Sequence, residues 1–175
     1  MRSLAFIIIA AIAFLNTNAQ SKSLNYKYSI SLLEGKWFVV ATNFPMWLDT
    51  KNTNPNFNYT NFREKNEKLL FDDCVMYSKN KSPKQIKGKD KQKYMSELRF
   101  IWRGKGLLGL FKSRWKVIAN DKEGRWIAIY SARTLVSPEG VDIVARTKNL
   151  SENEIKGIIS HLDRSCIKKP IEILK

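Results

Sequence analysis

The side chains in this chain that could carry chemistry are few and scattered. It has a single histidine, His161, and two cysteines, Cys74 and Cys166. A hydrolase needs a base beside a nucleophile, but His161 falls on a late helical segment and no Gly-x-Ser-x-Gly elbow occurs anywhere. A solvent-facing helix histidine is the simpler reading. One His and two Cys also fall short of the usual zinc ligand set. Gly104, Gly106 and Gly109 sit between apparent strands, whereas a dinucleotide-binding glycine pattern needs a strand-to-helix turn. Asp72-Asp73 is the one adjacent acidic pair, and neighbours on a strand point to opposite faces, which makes them a poor acid/base couple. No catalytic residue, metal or cofactor is therefore expected. An isomerase-like site would need a catalytic group inside a cup, with Asp73 or Tyr130 the only conceivable candidates.

Binding is the stronger reading. Alternation places Val39, Ala41, Phe57, Tyr59, Phe71, Val75, Tyr77, Phe100, Trp102, Trp115, Val117, Ala128 and Tyr130 on inward phases of successive strands. Any one of them could simply fill a solid core. As a set, aromatic walls carrying a few hydroxyls match a pocket for a small apolar or amphipathic molecule. Trp47 and Leu48, in the Pro/Asn/Asp-rich loop after the first strand, are expected at the open end as a lid. The glycine-rich segment 106–111 is expected to flank the opening or to meet a membrane surface.

The elements that must hold these residues are short strands and one helix. Strand patterns run over Lys36–Asn43, Asn56–Arg63, Leu69–Tyr77, Glu97–Arg103 and Arg114–Ala119, then around Trp126–Tyr130 and Val141–Ala145. The lysine-rich stretch near Pro83–Lys89 fits a short edge strand, since lysine and proline discourage edge pairing. Turn signals recur at intervals of about 8 to 12 residues, the spacing of an all-β sandwich or barrel. At Ser151 and Glu154 the period changes, with a capping-box pattern followed by Ile155, Ile158, Ile159 and Leu162 at helical spacing. One helix with one apolar face must dock on the outside of the sheet. The expected fold is all-β, an eight-stranded antiparallel up-and-down barrel with a C-terminal α-helix outside it. Closure removes the sticky edges, and eight strands leave room for packed side chains or one small ligand.

The first residues read as an export signal. Arg2 precedes the apolar run Leu4–Leu15, and Thr17-Asn18-Ala19 supplies a small-residue cleavage site after Ala19. That run is shorter than the roughly 20 residues a membrane span needs. Residues 20–175 then form a single secreted domain, expected as a monomer. Export and an even cysteine count favour a Cys74–Cys166 disulfide, with two buried free thiols as the alternative. Such a bridge would close a loop of about 90 residues, worth ~4 to 5 kcal/mol by chain entropy. The composition is basic, with 31 Lys+Arg against 16 Asp+Glu. A charge of that sign attracts anions and tilts the expected ligand toward an acidic head group. It also makes a peripheral contact with an anionic membrane surface an expectation. The alternative function is a basic surface that binds polyanions or lipid headgroups; nucleic acid is disfavoured by the export signal and the lack of a binding motif.

Gly35-Lys36-Trp37 on the first strand resembles the Gly-x-Trp signature of the lipocalins. Val141 to Ile155 resembles that family's last barrel strand, its arginine and the capped helix behind it. The stretch Ala41-Thr42-Asn43-Phe44-Pro45 is similar to the apolipoprotein D and bacterial lipocalin branch. The resemblance spans nearly the whole exported chain and implies a carrier barrel. It implies that Trp37 sits at the closed base with Arg146 packed across its ring, and that Cys74 and Cys166 are bridged. The family's second motif, a Thr-Asp-Tyr-like turn before the seventh strand, is reduced here to Asn120-Asp121 ahead of Arg125-Trp126.

Overall fold

The computed structural model describes residues 29–94, 97–163, 165 and 167–174. Residues 1–33 form one unit, in which 29–33 are helical, and residues 34–175 form a second that carries every described strand. The export segment over 1–19 lies outside the described residues.

The second unit is built from long strands joined by tight turns. Its strands are β1 (Gly35–Thr42), β2 (Asn52–Lys65), β3 (Lys68–Lys79), β4 (Ser82–Gln92), β5 (Arg99–Gly104), β6 (Lys112–Asn120), β7 (Trp126–Ser131) and β8 (Gly140–Ala145). A helical turn α1 (Pro45–Leu48) follows β1, and a 3-10 helix (Gly106–Leu110) joins β5 to β6. Helix α2 (Glu152–His161) and the two-residue strand β9 (Glu172–Ile173) come last. Asn66-Glu67 and Asn80-Lys81 all have positive φ, the geometry of two-residue hairpins whose twist matches the flanking strands.

Each strand from β2 to β8 pairs antiparallel with the next, and β1 pairs with both β8 and β2, which closes an eight-stranded up-and-down barrel. β9 adds to β1 where β2 has peeled away. β4 is an interior strand of 11 residues between β3 and β5, not the short edge strand expected from its lysines. Its alternation explains how it can be interior. Lys87, Lys89 and Lys91 are exposed, while Gly88, Asp90 and Gln92 between them are buried.

Helix α2 starts as expected from its sequence. Ser151 accepts from the Glu154 amide and the Glu154 carboxylate accepts from the Ser151 amide, which completes the capping box. Ile155, Ile158 and Leu162 pack with Val40, Ala41, Ala128, Val141, Ile143 and Ala145 in one buried cluster. The helix therefore covers the outer face of β1, β7 and β8. Those strands are apolar on both faces, and every residue of β8 is buried.

This outer cluster corrects three expected cup residues. Ala41, Ala128 and Tyr130 belong to or pack against it and do not point into the barrel. A register shift between Val39 and Ala41 places an extra residue in β1, so Val39 pairs with Val144 and Ala41 with Ile143 on the opposite face. In β7 the inward residues are Ile127, Ile129 and Ser131. Tyr130 instead donates its hydroxyl to Glu139 Oε2 at 2.7 Å and lies beneath Lys116 Nζ.

Candidate functional site

The closed end is sealed by Trp37, which is fully buried. The Arg146 guanidinium lies over its ring, with Cζ 3.6 Å from the centroid, and Arg146 Nη1 donates to the Glu34 carbonyl at 2.7 Å. This is the floor contact the resemblance implied. Above it an aromatic block fills the barrel. Tyr59 stacks on Trp115 at 5.8 Å, Phe100 stacks on Trp115 at 4.6 Å, and Phe71 meets Phe100 edge-on at 5.2 Å.

Beyond that block the barrel opens into a cavity of about 470 Å³. Phe57, Tyr59, Val75, Trp102 and Trp115 line it, five of the residues expected there. Phe71 and Phe100 form the packed layer beneath. Val39 and Val117 do not reach the cavity, although Val117 shares the inward register of Ile129. Tyr77 meets Trp47 edge-on at 5.5 Å, so it supports the lining from behind. Trp47 is buried and lines the mouth beside Phe44 and Met46, whereas Leu48 does not. Leu110 and Phe111 from the 3-10 segment, with Leu135 and Val136 from the β7–β8 loop, complete the rim. Leu107, Leu110 and Leu135 are almost wholly exposed there.

The interior also holds three buried carboxyl groups that hydrophobic patterning does not reveal. Asp73 and Asp142 line the cavity, and Asp90 lies deeper among the aromatics. Asp142 Oδ1 accepts from Thr42 Oγ1 at 2.6 Å, and Asp90 Oδ1 accepts from Trp115 Nε1 at 2.7 Å. Burial pushes Asp142 up to about 7, against the Thr42 hydrogen bond. Burial likewise raises Asp73 to about 7, opposed by a hydrogen bond from the Trp102 indole. Asp90 is held well above the usual carboxyl range by burial and then by the charge of Asp73, against the Trp115 hydrogen bond. The Tyr59 phenol stands within electrostatic reach of all three, and burial followed by their charges raises it well above its ordinary range.

These groups relocate the charge of the molecule. The expected preference for an acid-headed ligand rested on net charge, but Lys87, Lys89 and Lys91 of β4 and the lysines and arginines of β5 and β6 lie on outward phases. Lys84, on the inward phase of β4, is exposed. Among the described residues that line the cavity, Lys112, at the mouth, is the only cation. The cup is acidic inside a basic shell.

Gly88 makes one of these contacts possible. It faces Asp73 across β3–β4, and a Cβ there would lie 2.1 Å from Trp102 Nε1. Gly88→Ala must therefore push the indole off β4 and away from Asp73. We expect a loss of about 1 to 3 kcal/mol of stability and a changed near-ultraviolet circular dichroism spectrum. Unchanged stability and spectrum would contradict the placement of Trp102.

Cys74 points outward from β3. Its thiol is half-buried, with Sγ 3.9 Å from Gln85 Oε1. Cys166, and with it the expected Cys74–Cys166 bridge, lies outside the described residues. His161 is exposed, with Nδ1 2.7 Å from the Gly157 carbonyl. Among the described residues no cluster of His, Cys, Asp and Glu could hold a metal, and no helix is long and apolar enough to cross a membrane.

No family model and no curated protein matches the chain. Solved structures do match it. One is the siderocalin Ex-FABP, described as functioning through dual ligand specificities; it is 10% identical, with a TM-score of 0.56 over 82% of this chain and 89% of that one. The architecture of the barrel and its outer helix is thus the lipocalin fold, and at this identity the likeness is one of fold.

Proposed function

We propose that the protein is a carrier that binds one small hydrophobic or amphipathic molecule, such as a lipid, in the barrel cup. The observation that supports this most is the cavity of about 470 Å³, walled by Phe57, Tyr59, Val75, Trp102 and Trp115 inside a lipocalin fold. Preformed apolar cavities of a few hundred Å³ with a few polar groups suit ligands of this size. This is a binding fold, and we assign the protein no enzymatic activity. The Gly35-Lys36-Trp37 and Ala41–Pro45 stretches favour the apolipoprotein D and bacterial lipocalin branch.

A titration with the uncharged apolar dye N-phenyl-1-naphthylamine tests the carrier reading. It should saturate at one dye per chain with little dependence on salt, and Val75→Trp, which fills the mouth, should abolish it. Dye binding that survives Val75→Trp, or is absent from the native chain, overturns the reading.

On this reading the chain is exported with cleavage after Ala19 and acts as a monomer. The exposed leucines around the mouth, with Lys105 and Lys112 beside them, suit a peripheral contact with an anionic membrane surface during loading. A second reading, as a polyanion-binding surface, is favoured by Lys87, Lys89 and Lys91 on β4 beside Arg103 and Arg114 on the same outer face. Polyanion binding would fall steeply as salt rises, whereas the cup's would not.

We also propose that Cys74 pairs with Cys166 in an oxidising compartment. Thiol titration of the exported, denatured and unreduced protein should find no free thiol. Finding two would refute the bridge.

A further inference from the structure

We propose that the cup is built for a ligand with a cationic head, a protonated amine on an apolar body, with Asp73 and Asp142 receiving the head. This deepens the carrier reading and rests on it.

Both carboxyl groups line the cavity while being only 8% and 4% exposed, so they face the ligand space and hardly any bulk water. Asp142 has a partner in Thr42, but Asp73 Oδ1 accepts no hydrogen bond from any described residue. Just below, Asp90 Oδ2 is in the same condition. A buried carboxyl oxygen without a partner is costly, and a barrel made only to hold an apolar body would place valine or leucine there. Among the described residues that line the cavity, no cation balances them inside. The lone lysine of the lining, Lys112, sits at the mouth and on an outward phase of β6. An ammonium group brings both the charge and the N–H donors that Asp73 Oδ1 lacks.

The surrounding walls fit the same head. Tyr59, Trp102 and Trp115 line the cavity, and aromatic rings attract cations. A carboxylate head would instead meet like charge in a water-poor site. The basic exterior does not reverse this, because its charges stand in solvent and are screened over about 10 Å. Burial, which brings Asp73 and Asp142 to about 7, leaves them ready to give up a proton to solvent when an ammonium arrives.

The test compares decylamine, decanol and decanoate by isothermal titration calorimetry near pH 8 on the full-length exported protein. Decylamine should bind at least about tenfold more tightly than decanoate, the scale of one charge-assisted hydrogen bond. Decanol should fall between them. Asp73→Asn should erase most of the preference for the amine over decanol and decanoate. A cooperative melting transition shows that the variant is folded. Equal binding of all three, or an amine preference that survives both Asp73→Asn and Asp142→Asn, overturns the head-group inference and leaves the carrier reading standing. No binding of any of the three overturns both.

Discussion

Raising the pH from about 5 to about 8 should lower the melting temperature of the ligand-free barrel, and Asp142→Asn should remove a large part of that loss. Asp142 titrates near 3.8 in the unfolded chain and near 7 in the barrel. Between those values the folded state holds a proton that the unfolded state has released. Its contribution to stability is thus complete below about pH 4, is lost as pH rises through 7, and is flat beyond. The part of this shift that falls between about pH 5 and 7 corresponds to about 3 kcal/mol, or roughly 8 °C in a domain of this length. The buried Asp73 and Asp90 act in the same direction. Surface acids with lowered values, Asp121 and Glu154 among them, act oppositely but mainly at more acid pH. The amide in Asp142→Asn would keep an oxygen for the Thr42 hydroxyl, so the variant should match the native protein near pH 5 and exceed it near pH 8. Parallel melting curves for the two proteins across this range would show that Asp142 is not held neutral by burial.

Trp37→Ala should cost about 3 to 5 kcal/mol, the range for truncating a fully buried large aromatic. It empties the floor between β1 and β2, where Trp37 pairs with Phe57. Arg146→Ala should cost less. It removes a cation–π contact worth about 0.5 to 2 kcal/mol and the hydrogen bond to the Glu34 carbonyl. The two losses should not add, because each change removes the same ring–guanidinium contact. Arg146→Lys should behave more like alanine than like arginine, since a point ammonium cannot lie flat on the indole while reaching that carbonyl. Urea unfolding of the singles and the double measures all three. Unchanged stability in Trp37→Ala would contradict the floor, and full additivity would contradict the contact. Neither residue lines the cup, so ligand preference should not move.

Much of this architecture is legible in the sequence, and the places where it is not share a cause. The Gly35-Lys36-Trp37 start, the capping box at Ser151 and the strand series up to Trp115, β4 excepted, sit where alternation and spacing put them. Alternation fails at β7 and β8 because α2 covers their outer face. Val141, Ile143 and Ala145 look like the core side of β8, yet they face the helix, and Asp142 between them faces the cup. In β1 the extra residue near Val40 turns Ala41 over, and nothing in an apolar run marks a bulge. Asp90 is hidden differently. In Lys87-Gly88-Lys89-Asp90-Lys91-Gln92 the period of two is perfect, but the buried phase is made of Gly, Asp and Gln. A search for apolar faces passes over it and finds only the solvated lysines. The acidic interior is written in those inward polar residues, whereas composition reports the outer shell.

The central claim is that the barrel carries a small molecule, and native mass spectrometry of the protein purified from its own source tests it most directly. The account predicts one bound species of roughly 200 to 800 Da, the size such a cavity encloses, released by organic solvent and retained in high salt. A protein that arrives empty, and that holds only polyanions at low salt, would contradict it.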